Sequence, residues 1–184
     1  MSALKDLLRD RADAIAERWQ KGALEVYAKD AAVLFGREKD PFANPVGHAL
    51  RTGTEAVLEG LASGEDVEKL AEALAEIVQM RAVQEVSPSK AIAFVFLLKE
   101  AVRAELGAKA NDPVVAAALL TLDGQVDRLA LATFDCYVKC RERVYELRVG
   151  EVKRSFSGVM NMLERRRERE APASNGPDSE VRKS

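Results

Sequence analysis

The order of hydrophobic and polar residues along the chain predicts α-helices throughout. From Asp66 to Val78 the apolar residues recur every three or four positions, so they fall on one side of a helix. No segment of four to eight residues alternates strictly between apolar and polar side chains, as a half-buried strand would. The pattern therefore predicts an all-α fold, a bundle of about five helices.

Capping residues and prolines indicate where the first helices begin and end. The first helix is predicted from about Ala3 to Leu34, with Trp19 as a core anchor on its apolar side. A polar, turn-forming segment follows at residues 36–44. Pro45 then takes the first position of the second helix, where a missing N–H costs nothing, and that helix is expected to end just before Gly64.

The helix that begins at Ser87 and Pro88 contains residues 91–98, a segment that is apolar all round. A helix without a polar face is buried on every side. We therefore expect this helix to be the central one of the bundle and to end near Gly107. The charged side chains that follow the apolar segment are Lys99, Glu100 and Arg103.

The longest helix-compatible run extends from Asn111 to Glu170, with Pro113 at the first helical position behind Asn111 or Asp112 as the cap. Unbroken, it would reach roughly 85–90 Å, about twice the width of such a domain, so we interpret its last third as a long exit helix. There, apolar residues recur at alternating three- and four-residue steps, which is typical of a helix that packs on another helix. We call these residues the C-terminal stripe: Val149, Val152, Phe156, Val159, Met160 and Leu163.

The C-terminal stripe predicts an interface, because apolar surface of this extent is costly to leave in water. Either the first helix of the same chain or a second molecule can cover it. We predict a homodimer, since two-fold pairing is the commonest way in which soluble proteins cover such a surface.

Composition and charge restrict the classes of function. With 184 residues, 47% hydrophobic and 32% charged, the chain suits one helical domain, residues 1–170, and a polar tail, residues 171–184, that we predict to be disordered. The net charge of −2 gives no general reason to bind nucleic acid or an anionic membrane. The longest purely apolar run, at eight residues, is far shorter than the roughly 20 that span a bilayer. We expect a cytoplasmic protein without membrane insertion.

Few residues are candidates for metal binding or catalysis. Cys136 and Cys140 lie four positions apart on one predicted helix, and His48 is the only histidine. A metal site needs three or four ligands, so we predict no metal and no cofactor, with both cysteines as reduced thiols in or near the core. His48 is interpreted as a capping or packing residue rather than a haem ligand. Because no catalytic arrangement of side chains is recognisable, we do not expect an enzyme.

Arg81 is unusual because it falls on the apolar side of its predicted helix. A buried guanidinium needs a partner, which we expect to be Glu100, Asp127 or Asp135, unless the side chain extends to water. The alternative is a pocket that senses an anion or another small ligand, since pockets between bundle helices combine apolar walls with a few polar groups. The candidate residues of that pocket are Arg81, Gln84, Lys99 and Tyr137.

Several separated segments carry a resemblance to a known family. They are Asp40-Pro-Phe-Ala-Asn-Pro-Val-Gly-His48; Arg81-Ala-Val-Gln84 with Ser87-Pro-Ser89 and Phe94-Val-Phe-Leu-Leu-Lys-Glu100; and Asp127-Arg-Leu-Ala130 with Asp135-Cys-Tyr-Val-Lys-Cys-Arg141. In this order they resemble the N-terminal domain family of RsbRD, named after a co-antagonist of the stress-response kinase RsbT. The resemblance implies an all-helical input domain, related to the non-haem globin-like sensor domains of stressosome proteins, which dimerises and signals through a C-terminal helix.

The resemblance also suggests two functions. In full-length RsbR-type proteins a phosphorylatable STAS domain follows the exit helix, whereas here only the short tail follows it. We therefore expect a stand-alone regulatory or sensor module that binds a partner protein or a small ligand. The alternative is a structural adaptor or accessory subunit of a larger redox complex, since we associate stand-alone relatives with anaerobic sulfur-respiring bacteria.

Overall fold

The computed structural model describes residues 2–25, 45–84 and 86–170, and within these ranges it contains seven α-helices and no β-strand. The all-α prediction is confirmed. The helices are α1 (Ser2–Asp10), α2 (Ala12–Glu25), α3 (Pro45–Ser63), α4 (Val67–Ala73), α5 (Ala75–Val83), α6 (Pro88–Leu106) and α7 (Pro113–Glu170), and a 3₁₀ turn (Gly107–Asn111) precedes α7. The chain divides into two compact units, one ending at Val144 and the other beginning at Tyr145.

Three of the predicted helix starts are confirmed, and each begins with proline. α3, α6 and α7 start at Pro45, Pro88 and Pro113. The cap of α7 is also as predicted, because a side-chain oxygen of Asp112 accepts hydrogen bonds from the backbone N–H of the second and third helical residues, at 2.8 and 3.2 Å. The end of α3 is marked by Gly64, whose φ of +84° is favourable only for glycine.

Two predicted helices are interrupted. The first is broken at Arg11 into α1 and α2, and its predicted part beyond Glu25, with the turn at residues 36–44, lies outside the described residues. The helix that the apolar pattern predicts from Asp66 to Val78 is broken at Leu74 into α4 and α5. Leu74 is fully buried, so this turn adds a side chain to the core. Both breaks occur without a proline or glycine, which is why the apolar pattern does not reveal them.

Trp19 and Phe94 form the centre of the core in the first unit. Both are fully buried, their rings stack with centroids 6.4 Å apart, and the indole N–H of Trp19 donates to the backbone carbonyl of Phe94 at 2.6 Å. Trp19 is therefore the core anchor that the sequence predicts. The hydrogen bond satisfies the one polar group of a buried tryptophan.

The prediction that α6 is buried on every side is wrong. Phe96 is 42% exposed, and the ammonium group of Lys99 lies 5.6 Å from the centre of its ring. Phe94, Val95 and Leu98 face the core instead. At 3.6 residues per turn, one face of an apolar segment must point outwards unless a neighbouring helix covers it. α6 therefore packs in the centre of the bundle but leaves the face that carries Phe96 exposed to solvent.

Ion pairs tie α6 to the first part of α7. The ammonium group of Lys99 lies 2.6 Å from a carboxylate oxygen of Asp127, and Arg103 donates to Asp123 at 3.0 Å. The hydrogen bond with Asp123 raises the pKa of Arg103. α6 ends at Leu106, next to Gly107 as predicted, and both cationic residues lie in its second half. Among the described helices, none is long and apolar enough to cross a membrane.

Candidate functional site

The C-terminal stripe lies on the second part of α7 and is exposed along its whole length. Its six side chains expose between 44% and 68% of their surface. At 100° per residue they fall on one side of the helix, whereas Glu151 and Arg154 fall on the opposite side. Tyr145, which is 51% exposed, extends the stripe by one step towards the N-terminus. Sequence reasoning missed Tyr145, although its four-residue spacing from Val149 was the available signal.

Covering the C-terminal stripe has a substantial energetic value. Burying a whole apolar side chain of this size contributes roughly 1.5–3 kcal/mol, so covering the exposed part of six contributes roughly 5–10 kcal/mol per chain. Two copies that cover each other would gain about twice that. Association costs roughly 4–15 kcal/mol in lost translational and rotational freedom, so a mutual interface can be stable.

A second candidate region, which we call the α5–α6 connection, comprises the last residues of α5, the described part of the loop and the first residues of α6 (82–84 and 86–90). Three side chains donate to its backbone carbonyls. Arg81 donates to Lys90 at 2.7 Å, Arg141 donates to Ala82 at 2.8 Å, and the hydroxyl of Tyr137 donates to Val86. Tyr137 and Arg141 belong to α7, so two side chains fix this long helix to the connection. Ala82 lies at the C-terminal end of α5 and Val86 lies in the loop, where a carbonyl lacks the N–H partner four residues on that a helix interior supplies, which is why such donors stabilise it.

Arg81 is 2% exposed, so the expectation that its side chain extends to water is wrong. Its guanidinium carbon lies 5.1 Å from the centre of the Phe94 ring, in addition to the hydrogen bond with the Lys90 carbonyl. Stacking on an aromatic face suits the planar guanidinium group. Asp127, one of the carboxylates expected near Arg81, accepts a hydrogen bond from Lys99.

The four candidate ligand-binding residues are only partly brought together. Arg81 and Tyr137 are both buried and both donate to the α5–α6 connection. Gln84 lies exposed at the C-terminal end of α5, and Lys99 is half-buried beside Asp127. Binding of an anion or another ligand by this set stays a prediction.

The two cysteines are half-buried against a small apolar cluster that includes Val78 and Ala91. Burial, together with the neighbouring Cys136, raises the pKa of the Cys140 thiol, which favours the protonated and unreactive form. The ring nitrogen Nδ1 of His48 lies 3.2 Å from a guanidinium nitrogen of Arg51. Since arginine only donates, Nδ1 must accept. Within the described residues, no group of three or more histidine, cysteine or acidic side chains could hold a metal ion.

Comparison with known protein families places most of the chain in one of them. The family model described as the RsbT co-antagonist protein rsbRD N-terminal domain matches residues 13–152, about three quarters of the chain. The chain belongs to this family. No curated protein and no solved structure gives a significant match.

The RsbRD N-terminal domain match extends from α2 into α7 and includes the α5–α6 connection with Arg81, Tyr137 and Arg141. It ends at Val152, so the later residues of the C-terminal stripe lie beyond it. Membership supports a regulatory domain of the stressosome type. The relationship to globin-like sensor domains stays a prediction, as does the disorder of the tail, which lies outside the described residues.

Proposed function

We propose that this RsbRD N-terminal domain protein is a non-enzymatic regulatory module that forms a homodimer through the C-terminal stripe and signals along α7 to a partner protein. The observation that carries the proposal is the stripe itself, six apolar side chains in helical register that are exposed in the single chain. Family membership supports the regulatory class.

A second copy of the chain is the proposed cover because the stripe is apolar and can meet itself. In a two-fold dimer the same surface is used on both subunits, so every apolar residue that one subunit presents is matched by an apolar residue of the other. The alternating three- and four-residue spacing is the pattern by which two helices interlock their side chains. The free energy gained by covering this area is comparable with or larger than the cost of association, so a mutual interface can be stable.

α7 is the proposed route of the signal because it takes part in the packing of the first unit and also carries the stripe. Tyr137 and Arg141 bind the α5–α6 connection, and Asp123 and Asp127 bind α6. A ligand or partner that changes these contacts would favour one arrangement of α7 over another. A ligand shifts such an equilibrium only by its difference in affinity for the two arrangements.

The dimer is tested by size-exclusion chromatography with light scattering on the unmodified protein at tens of micromolar. We expect a mass of about twice the 20.1 kDa chain. A monomer at that concentration would refute the proposed interface.

The regulatory input is tested separately by a thermal-shift screen of small molecules. A module that senses a small ligand is stabilised by that ligand through mass action. A structural adaptor would be stabilised only by its protein partner. A screen that yields no stabilising compound would therefore favour the adaptor function over ligand sensing.

A further inference from the structure

The spacing of the C-terminal stripe continues by one charged residue at each end. Steps of three and four residues alternate from Glu142 to Arg166, which is the spacing of residues that face a partner helix in a pair. We call this run the seam: Glu142, Tyr145, Val149, Val152, Phe156, Val159, Leu163 and Arg166. All eight side chains belong to α7 and are exposed in the single chain. The seam therefore begins with an acidic residue, ends with a basic one and is apolar between them.

The charged ends of the seam distinguish the two directions in which a second copy can cover it. In a parallel pair with equal residues opposite each other, Glu142 would face Glu142 and Arg166 would face Arg166, so like charges would meet at both ends. In an antiparallel pair centred between Val152 and Phe156, Glu142 of each subunit faces Arg166 of the other. Complementary charges fix the register of an interface, whereas like charges placed opposite each other are unfavourable. The end charges therefore favour the antiparallel direction.

The sizes of the apolar residues favour the same direction. An antiparallel pair places three kinds of residue pair across the interface: Tyr145 with Leu163, Val149 with Val159, and Val152 with Phe156. Each aromatic ring then lies opposite a smaller aliphatic side chain. In a parallel pair, Phe156 would face Phe156 between two layers of paired valines, so a wide layer would lie between two narrow ones. Because apolar side chains are stable only when closely packed, the more even layers of the antiparallel pair are favoured.

The residue types within each seven-residue repeat also disfavour a parallel dimer. Each repeat of the seam has two positions, separated by the three-residue step. Parallel two-stranded pairs favour a β-branched residue at the first position and leucine at the second. Here the apolar second positions are Tyr145, Val152 and Val159, and the one leucine of the seam, Leu163, takes a first position. The seam thus lacks leucine wherever a parallel pair would favour it.

We propose that a second copy of the chain covers the seam in the antiparallel direction, with Glu142 of each subunit beside Arg166 of the other. This inference rests on the proposed function, because it takes the dimer as given and adds the direction in which the two α7 helices run. The C-terminal ends of the two helices then point in opposite directions. A partner protein that binds at such an end therefore binds each subunit separately.

Disulfide cross-linking between subunits tests the direction. Two versions of the full chain are prepared with Cys136 and Cys140 replaced by alanine, one carrying Tyr145→Cys and the other Leu163→Cys. They are mixed in equal amounts, allowed to exchange subunits and oxidised, and intact mass spectrometry separates the linked products, since the two chains differ in mass. In the antiparallel pair the two new cysteines face each other, whereas equal positions lie roughly 27 Å apart at 1.5 Å per residue, beyond the reach of a disulfide. We expect the mixed disulfide as the main product.

The other results separate the direction from the dimer itself. Disulfides between identical chains, or no disulfide in a protein that is dimeric by light scattering, would overturn the antiparallel direction and leave the proposed dimer standing. A monomeric mass for the unmodified protein would refute the dimer. Light scattering and circular dichroism on the chain with both alanines, compared with the unmodified protein, control for the loss of Cys136 and Cys140.

Reversal of the end charges tests the direction with both native cysteines in place. Glu142→Arg alone and Arg166→Glu alone each put like charges opposite each other at both ends of an antiparallel pair, so we expect each to weaken the dimer about tenfold in analytical ultracentrifugation. The two changes together should restore the affinity. Glu151→Arg makes the same change of charge on the opposite side of α7 and should have no effect. A parallel pair only exchanges one like-charged pair for another, so unchanged affinity in both single variants would contradict the proposal.

Discussion

The double substitution Val152→Glu with Phe156→Lys should convert the dimer to a monomer. The two side chains are 67% and 68% exposed in the single chain, so covering them contributes roughly 2–4 kcal/mol per chain and 4–8 kcal/mol per dimer. At 1.4 kcal/mol for each factor of ten, their loss weakens the dimer about a thousandfold or more. The burial of two charged groups in the interface weakens it further. Light scattering at tens of micromolar should therefore report the mass of one chain.

Helicity should survive this change. Glutamate and lysine have better intrinsic helix propensities than valine and phenylalanine, so α7 gains no breaker. Circular dichroism should show a helical content close to that of the unmodified protein. If the double variant unfolds outright, the stripe belongs to the internal core of the chain and the reasoning is wrong.

Two matched variants complete the experiment. Glu151→Lys with Arg154→Glu also keeps the net charge but alters the opposite side of α7, so it should stay dimeric. Val152→Glu with Phe156→Glu places only negative charges in the stripe and prevents an ion pair between subunits in any orientation of the helices. It should be monomeric. Dissociation of the opposite-side variant, or a dimer that persists in both stripe variants, would refute the interface.

Three further predictions concern stability. Gly53→Ala should lower the free energy of unfolding in urea by about 1–3 kcal/mol, because the new Cβ would lie 2.7 Å from the backbone oxygen of Ala73. Gly124→Ala is the matched control: its Cβ meets nothing within 4 Å, so it should raise the free energy of unfolding by about 0.5–1 kcal/mol. Tyr137→Phe leaves the Val86 carbonyl of the α5–α6 connection without its donor, so it should lower the free energy of unfolding by about 1–3 kcal/mol. An unchanged urea midpoint would show that the hydrogen bond contributes nothing to stability. Removal of residues 172–184 should leave the melting temperature nearly unchanged, because that sequence has almost no apolar side chain to bury, and a large decrease would show that the tail docks.

Features set by local chemistry could be predicted from the sequence. Pro45, Pro88 and Pro113 mark helix starts because a proline at the first helical position loses no hydrogen bond. The C-terminal stripe could be predicted because its spacing is a property of one helix. The break at Leu74 could not be predicted, since the apolar spacing continues through it; in the structure the preceding carbonyl, that of Ala73, lies close to Gly53 on another helix, a contact between distant segments.

Much of the candidate site also depends on contacts between distant segments. The acceptors for Arg81, Tyr137 and Arg141 are backbone carbonyls, which every residue carries and which therefore leave no signature in the sequence.

The central claim is that a second copy of the chain covers the C-terminal stripe. Hydrogen–deuterium exchange at tens of micromolar tests it directly, because amides in an isolated exposed helix exchange rapidly whereas those in a packed interface are protected. We predict slow exchange across residues 149–163 in the unmodified protein and fast exchange there in Val152→Glu with Phe156→Lys, with the core around Phe94 equally protected in both. Fast exchange across residues 149–163 in the unmodified protein would contradict the account.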